Sequence, residues 1–463
     1  MWVSGKIDLF SGIVLLFIGS FFGSRYTSHY MRKTPFHRLI LPWIFVIAFF
    51  AIAPAVVFYT AGYRWNPKKG QIERNGTLIL DTRPNGAAIW LNGERIDERS
   101  PVTLQNVAPG GYEIRYALDG YHDWSKYLDV RPELVTFVNN IQLWKDQAPV
   151  LVLGRALQEI RVSPNERFVA FLAEREEGVV VGYVELADAS VSEFRLDADI
   201  RLSELSLLWS EDSAAILVQG SDQRAWTLQR SSDEGVSALP EGRYRWSDSI
   251  LIGTTGGERY VYDVSGNTIE REPLGTGVVD VSGSFELFSP SATRSYYLID
   301  TASPDKRFTL PEGDWRFGPV IDGNQFLTKE DVWLGFDPEA TDPEALWIPS
   351  EEQPVSYRME GIDYLLSHQE GEIWLTPLEE GEPRLLVRKS EQIIDTEWFR
   401  RGSDIFYATR KSVSVLNLDS RDGRIETMLA EFDQIYGMGR VGRRLVIAAE
   451  REGITGLWEL EVE

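Results

Sequence analysis

The sequence predicts a mainly β protein hung from one apolar helix, and three observations carry that expectation. Leu39 to Tyr63 runs about 25 residues without a charged side chain, enough to cross a ~30 Å hydrocarbon core as a helix. Aromatic residues make up 12% of the chain, with 15 Trp, an excess suited to the pleated, half-buried surface of strands. From about residue 150 onward, short apolar strands recur at a near-constant interval. At 463 residues, the chain is too long for one ordinary domain.

Composition narrows the function classes. Cys is absent, which excludes disulfides, thiolate metal sites and cysteine nucleophiles. Residues 1–75 carry a formal charge of +7 and the remainder −30. A body that acidic repels phosphate backbones, so nucleic acid is not an expected partner.

The apolar run 39–63 is expected to be a transmembrane helix. Trp43, Tyr59, Tyr63 and Trp65 lie near its ends, where amphipathic rings collect at the membrane interface. Pro42 and Pro54 are tolerated in such helices. Ala51-Ile52-Ala53 mimics a cleavage site, but Pro54 and the continuing apolar run favour an uncleaved anchor. Residues 1–38 form an N-terminal segment with a shorter apolar stretch, Leu9 to Gly23, so the membrane is met by one span, or two if this stretch also crosses. A start at Met31 would leave it untranslated. Basic residues flank the long span on both sides, close to a tie by the positive-inside rule. An extracytoplasmic body is expected mostly on the domain content that follows.

After a linker, 64–75, residues 76–144 read as a small β module. Leu78, Leu80 and Ala88 to Leu91 form strand-like runs separated by Pro84-Asn85-Gly86 and Asn92-Gly93, which are turn signals. Tyr112, Ile114 and Tyr116 alternate as a half-buried strand leaving a Pro-Gly-Gly turn. Thr77 to Leu80, Ala88 to Gly93, Ser100-Pro101, the turn Pro109-Gly110-Gly111-Tyr112 and the later Gly120-Tyr121 together resemble the PEGA domain. That family is a small β-sandwich-like module of prokaryotic surface proteins. Its name-giving tetrapeptide is not intact, and Pro109-Gly110-Gly111-Tyr112 stands in its place. The resemblance implies an extracytoplasmic, envelope-associated module without catalysis.

Residues 149–463 are expected to form a seven- or eight-bladed β-propeller. Eight short strands centre on Tyr183, Trp226, Val261, Tyr297, Trp333, Trp374, Val415 and Trp458, spaced 35 to 43 residues apart, within the range of four-stranded blades. A second apolar strand precedes most anchors and a short fourth strand follows. Val162 to Phe171, with Ser163-Pro164-Asn165-Glu166, resembles the turn signature of TolB/WD40-like propeller repeats. The last unit ends at Glu463 after its third strand. Pro149 to Leu153 is the expected missing strand, closing the ring and removing an exposed edge. Two unrelated β-sandwiches would not explain eight units in register.

No catalytic constellation is legible. His122, beside Tyr121 and Trp124, reads as structural, and His368 as a solvated hairpin residue. There is no Gly-x-Ser-x-Gly elbow, zinc helix, phosphate loop or dinucleotide fingerprint. Asp419-Ser420-Arg421-Asp422-Gly423 fails the calcium-loop spacing and reads as a β-turn. No cofactor or metal is expected. The leading expectation is a non-enzymatic, membrane-anchored binding or scaffold protein of the cell envelope, its propeller taking a protein, peptide or glycan. A propeller-type hydrolase of envelope polysaccharide or peptide is the alternative, and a cytoplasmic scaffold the third reading.

Overall fold

The computed structural model describes residues 37–60, 63–66 and 71–463, with breaks at 197–198, 232–234, 248, 265–267, 290–295, 322–323, 330–331, 337–345, 360 and 379–380. The apolar stretch at 9–23 and the alternative start at Met31 lie outside the described residues. Helix α1 (His37–Thr60) has 24 residues, about 36 Å of rise. Its Trp43–Thr60 segment has a mean hydropathy of 2.2 and is not buried by the rest of the chain. The helix ends at Thr60, short of the expected Tyr63. The Thr60 hydroxyl donates to the Val56 and Val57 carbonyls at 3.0 and 3.1 Å, satisfying groups of the last turn. Tyr63 and Trp65 instead stand on a hairpin of Tyr63–Asn66 with Gln71–Arg74. The aromatic–polar alternation of Tyr63-Arg64-Trp65-Asn66 is a strand pattern, and the pairing satisfies its backbone.

The module that follows is a two-sheet sandwich. One sheet has the order Val102–Val107, Gly76–Arg83, Val135–Gln142, the last pair parallel. The other runs Glu94–Arg99, Ala88–Leu91, Gly110–Ala117, Trp124–Val130. Alternate residues of Gly76–Arg83 point inward, as a strand with one buried face requires. Leu78, Leu80, Ile89, Ile114, Tyr116 and Leu128 fill the space between the sheets, each contributing about 1.5–3 kcal/mol of apolar burial. The buried Tyr116 hydroxyl donates to the Val138 carbonyl at 2.9 Å. Asn92 and Gly93 both have positive φ, 52° and 81°, the geometry of a type I′ hairpin turn. Glu94–Arg99, not expected as a strand, is an exposed edge, and its charges guard it against further pairing.

Beyond residue 149, the described residues form eight four-stranded sheets. Seven use consecutive strands. The eighth joins Gln434–Val441, Arg444–Arg451 and Ile454–Glu461 to Val150–Leu153, with Leu151 opposite Trp458. Blades are numbered here from the sheet beginning at Glu159. Second strands are apolar almost throughout, because both of their faces meet another blade. In Phe168–Arg175 of blade 1, Ala170 and Leu172 pack against Leu207, Ile216 and Val218 of blade 2. Val169, Phe171 and Ala173 pack against Val446, Ala448 and Leu457 of blade 8. The anchors Tyr183, Trp226, Val261, Tyr297, Trp333, Trp374, Val415 and Trp458 all stand on third strands.

The small module is docked on blades 7 and 8. Trp144 leaves the module and sits in the propeller core, its ring 5.0 Å from Phe399 and 5.2 Å from Phe406. Its neighbour Lys145 donates its amide to the Val462 carbonyl at 3.1 Å. From the other side, the turn at 419–423 reaches into the module. The buried Lys126 ammonium lies 3.3 Å from Asp419 Oδ2 and donates to the Asp419 carbonyl at 2.6 Å. Asp422 Oδ2 accepts the Tyr127 amide at 3.0 Å, and Arg421 donates to the Phe137 carbonyl at 2.9 Å. That turn is therefore a docking element, a role its local sequence does not announce.

Candidate functional site: the central channel

The first strand of each blade lines the axis of the ring. Side chains two apart on a strand share a face, so each inner strand offers alternate residues to the channel. Glu159 and Arg161, Arg243 and Arg245, and Asp395 and Glu397 are such pairs. Together with residues from the other inner strands, they surround a cavity of about 1160 Å³.

Most carboxylates of this lining have a structural task, accepting a backbone N–H from the next blade. Glu159 takes the Leu207 amide at 3.2 Å, Asp280 the Phe317 amide at 3.1 Å, and Asp395 the Met438 amide at 2.8 Å. Gln219 does the same for Tyr244 at 2.9 Å. Tryptophan indoles reinforce these seams: Trp209 donates to the Arg161 carbonyl at 2.8 Å, Trp246 to Leu208 at 3.1 Å and Trp398 to Val355 at 3.0 Å. Polar atoms at the channel wall thus satisfy inner-strand backbone groups that the ladder leaves open on its axial edge.

One wall is acidic. Arg161 on blade 1 meets Glu352 at 2.6 Å, Asp395 at 3.8 Å and Glu159 at 3.9 Å. Glu352 lies on the segment between blades 5 and 6, so this ion pair reaches across the ring past blades 8 and 7. Burial works against the Arg161 charge, but Glu352, Asp395 and Glu159 outweigh it and raise its pKa. Burial pushes Glu159 up to about 7, with Arg161 opposing and Glu352 adding to the rise. Glu397 is likewise pushed up to about 7 by burial, against Arg440 and its backbone hydrogen bond. Asp395 is raised well above its ordinary value by burial and then by Glu352. Near neutral pH this wall therefore holds protons that free carboxyl groups would have lost.

The opposite wall is basic. Arg316 donates to Asp314 Oδ2 at 2.8 Å, and the Tyr296 hydroxyl occupies Asp314 Oδ1 at 3.0 Å. Arg243, on the channel wall, finds no hydrogen-bond acceptor among the described residues. Burial and then the neighbouring Arg316 charge lower its pKa, and Asp314 compensates only in part. Arg316 Nε is buried without a partner. Two guanidinium groups here share one carboxylate whose oxygens are already engaged.

His368 departs from its sequence reading. It lies on the second strand of blade 6 (Ile362–Gln369), 5% exposed, with Nδ1 3.3 Å from the Thr396 hydroxyl. Packing of blade 6 against blade 7 removes it from solvent, and burial lowers its pKa. His122 lies outside the channel, its amide donating to the Trp144 carbonyl at 2.8 Å.

None of the repeat anchors carries the channel's charged groups. Most of those sit on inner strands, which carry fewer apolar residues than the second and third strands; the available signal was Trp closing Leu205–Trp209 and Ile393–Trp398. Pro109, Gly110, Gly111 and Tyr112 form the turn into the strand Gly110–Ala117, with Tyr112 donating to the Ala108 carbonyl at 2.9 Å. The Tyr127 ring lies across Gly111, where any Cβ would collide with it. Gly120, at φ 78°, turns the chain to Tyr121, which bridges to Lys145.

Residues 75–144 match the family model described as PEGA domain. No curated protein sequence matches the chain. Among solved structures, similarity is found to BamB from Moraxella catarrhalis, at 13% identity and TM-score 0.41, covering 68% of this chain and 97% of that one. The Dos1 propeller shows 11% identity and TM-score 0.46, over 68% and 94%. A chain of the mitotic checkpoint complex shows 14% and 0.41, over 66% and 89%. The propeller assignment rests on the sheet order and the closing strand, and the chain carries a PEGA domain between an apolar N-terminal helix and that propeller.

Proposed function

We propose that this chain is a membrane-anchored, extracytoplasmic binding protein without catalytic activity, whose propeller channel receives an acidic group of an envelope peptide or glycan. The observation that carries the reading is the basic wall: Arg243 has no acceptor among the described residues, and Arg316 shares a single occupied carboxylate with Tyr296. A carboxylate or similar anion would supply what both guanidinium groups lack. The cavity is large enough for a ligand segment rather than a lone ion. Helix α1 supports the anchor, and the PEGA domain supports a body outside the cytoplasm.

The test uses the full chain in detergent micelles with two probes, a polyglutamate peptide and a polyuronate oligosaccharide. At least one is expected to bind, and the Arg243→Ala/Arg316→Ala double variant to bind it at least about tenfold more weakly. Absence of binding by both probes, or unchanged binding by the variant, overturns the reading. Protease added to intact cells carrying a tag after Glu463 tests the orientation: the tag is expected to be lost.

A second reading, a propeller hydrolase, is favoured by the buried carboxyl groups of Glu159, Asp395 and Glu397, since raised pKa values mark many catalytic acids. Against it, Glu159 and Asp395 each hold an amide of the adjoining blade, a repeated structural use. Incubation of the full chain with envelope polysaccharide is expected to release no new reducing ends.

A further inference from the structure

Helix α1 and the PEGA domain are joined by a continuous set of contacts. In the last turn of the helix, the Phe58 ring meets Tyr63 edge-on at 5.3 Å. Tyr63 pairs across the hairpin with Arg74, whose guanidinium lies 4.6 Å from the Tyr63 ring. Arg74 then reaches Glu133 at 2.6 Å. The Glu133 amide donates to the Asn75 carbonyl at 3.1 Å, and the Thr77 amide to the Leu134 carbonyl at 3.0 Å. The loop between Trp124–Val130 and Val135–Gln142 is therefore held beside the point where the chain leaves the helix.

Beside the exposed Arg131 and Glu133, apolar side chains face outward at the end of this loop and at the start of the strand that follows. Leu134 is 53% exposed, Val135 44% and Phe137 50%. Val135 and Phe137 share one face of an edge strand. In water, three large apolar side chains gathered at a sheet edge invite association. Arg131 is exposed on the same loop, a cation suited to lipid phosphates. Apolar side chains flanked by a cation form the pattern of a segment lying in the interfacial layer of a bilayer.

We propose that the PEGA domain rests on the membrane that α1 crosses, with Leu134 and Val135 entering the boundary between headgroups and acyl chains. The lipid surface is thus the partner of this loop. Because Trp144 and the turn at 419–423 lock the PEGA domain to blades 7 and 8, such seating sets the tilt of the propeller over the membrane. The inference rests on α1 crossing a bilayer and is independent of the channel's ligand.

The sequence has no Cys, so single cysteines can be labelled without a background. The full chain is placed in vesicles of phosphatidylcholine with one quarter phosphatidylglycerol. An environment-sensitive fluorophore is attached at Leu134→Cys, at Phe50→Cys in the helix and at Ile454→Cys on blade 8. Quenching by lipids nitroxide-labelled high on the acyl chain is expected to be at least about threefold stronger at position 134 than at position 454. A lipid-exposed label at position 50 with a water-exposed label at 134 overturns the seating alone. Shielding of position 134 from both lipid and aqueous quenchers means that protein covers the loop, which also overturns it. A water-exposed label at position 50 overturns the anchor and the seating together. Leu134→Glu/Val135→Glu, which alters only exposed positions, is expected to bring a label at Phe137→Cys into water; unchanged lipid contact there contradicts the proposal.

Discussion

Arg161 shows how much a single side chain can decide in this ring. One guanidinium sits among Glu352, Asp395 and Glu159, in a setting where removal of one partner leaves charge buried and unpaired. Arg161→Ala is expected to destabilise the propeller by about 3 kcal/mol at pH 7.5, measured by urea denaturation. The loss should shrink near pH 5.5, where the orphaned carboxyl groups take up protons. A related pH effect belongs to Glu159 and Glu397, whose values rise from 4.5 to about 7 through burial. Both bind a proton more tightly in the folded protein. The stability they contribute is complete below about pH 4.5 and is lost as pH rises through about 7. Urea midpoints are therefore expected to fall between pH 5.5 and 8, and Glu397→Gln to flatten that slope by about 1–2 kcal/mol. A midpoint that rises over this interval contradicts the assignment.

Among the elements, Val150–Leu153 matters out of proportion to its four residues. It supplies the outer strand of blade 8 and so ties the start of the propeller to its end. Leu151→Pro removes a ladder donor and strains that strand. It is expected to convert one cooperative unfolding transition into two or a broad one, with aggregation from the exposed third strand of blade 8. Light scattering during thermal unfolding would register the change. The strand rhythm itself was legible, because second and third strands are apolar on both faces and Tyr183, Trp226, Trp333 and Trp458 mark the interval. Inner strands were not, since Glu159-Ile160-Arg161 and Arg243-Tyr244-Arg245 have only their closing arginine in common. Their common property is which neighbour they meet, and a single strand's letters do not record it. The α1 boundary moved for a similar reason: Tyr63 is apolar enough for the helix run but alternates with Arg64 as a strand residue.

On the scale of the whole molecule, the PEGA domain and propeller act as one body because each inserts a piece into the other. Trp144 enters the propeller core and the turn at 419–423 grips the buried Lys126. Trp144→Ala is expected to cost about 3–5 kcal/mol and to separate the calorimetric unfolding of the two domains. A single transition at unchanged temperature would show that the remaining polar contacts suffice. Only the folded chain reveals this coupling, as 293 residues separate Lys126 from Asp419.

The amino-acid sequence alone determined the apolar helix, the β character, the PEGA-like module and the repeat interval, because each is written in residues close together in the chain. Tertiary structure decided that the repeats make eight blades, that His368 is buried, and that an ion pair crosses the channel from Arg161 to Glu352. It also decided that one channel wall holds protons while on the other, among the described residues, Arg243 has no acceptor. These properties depend on desolvation and on distances between groups far apart in the chain, and both come into being only when the ring closes.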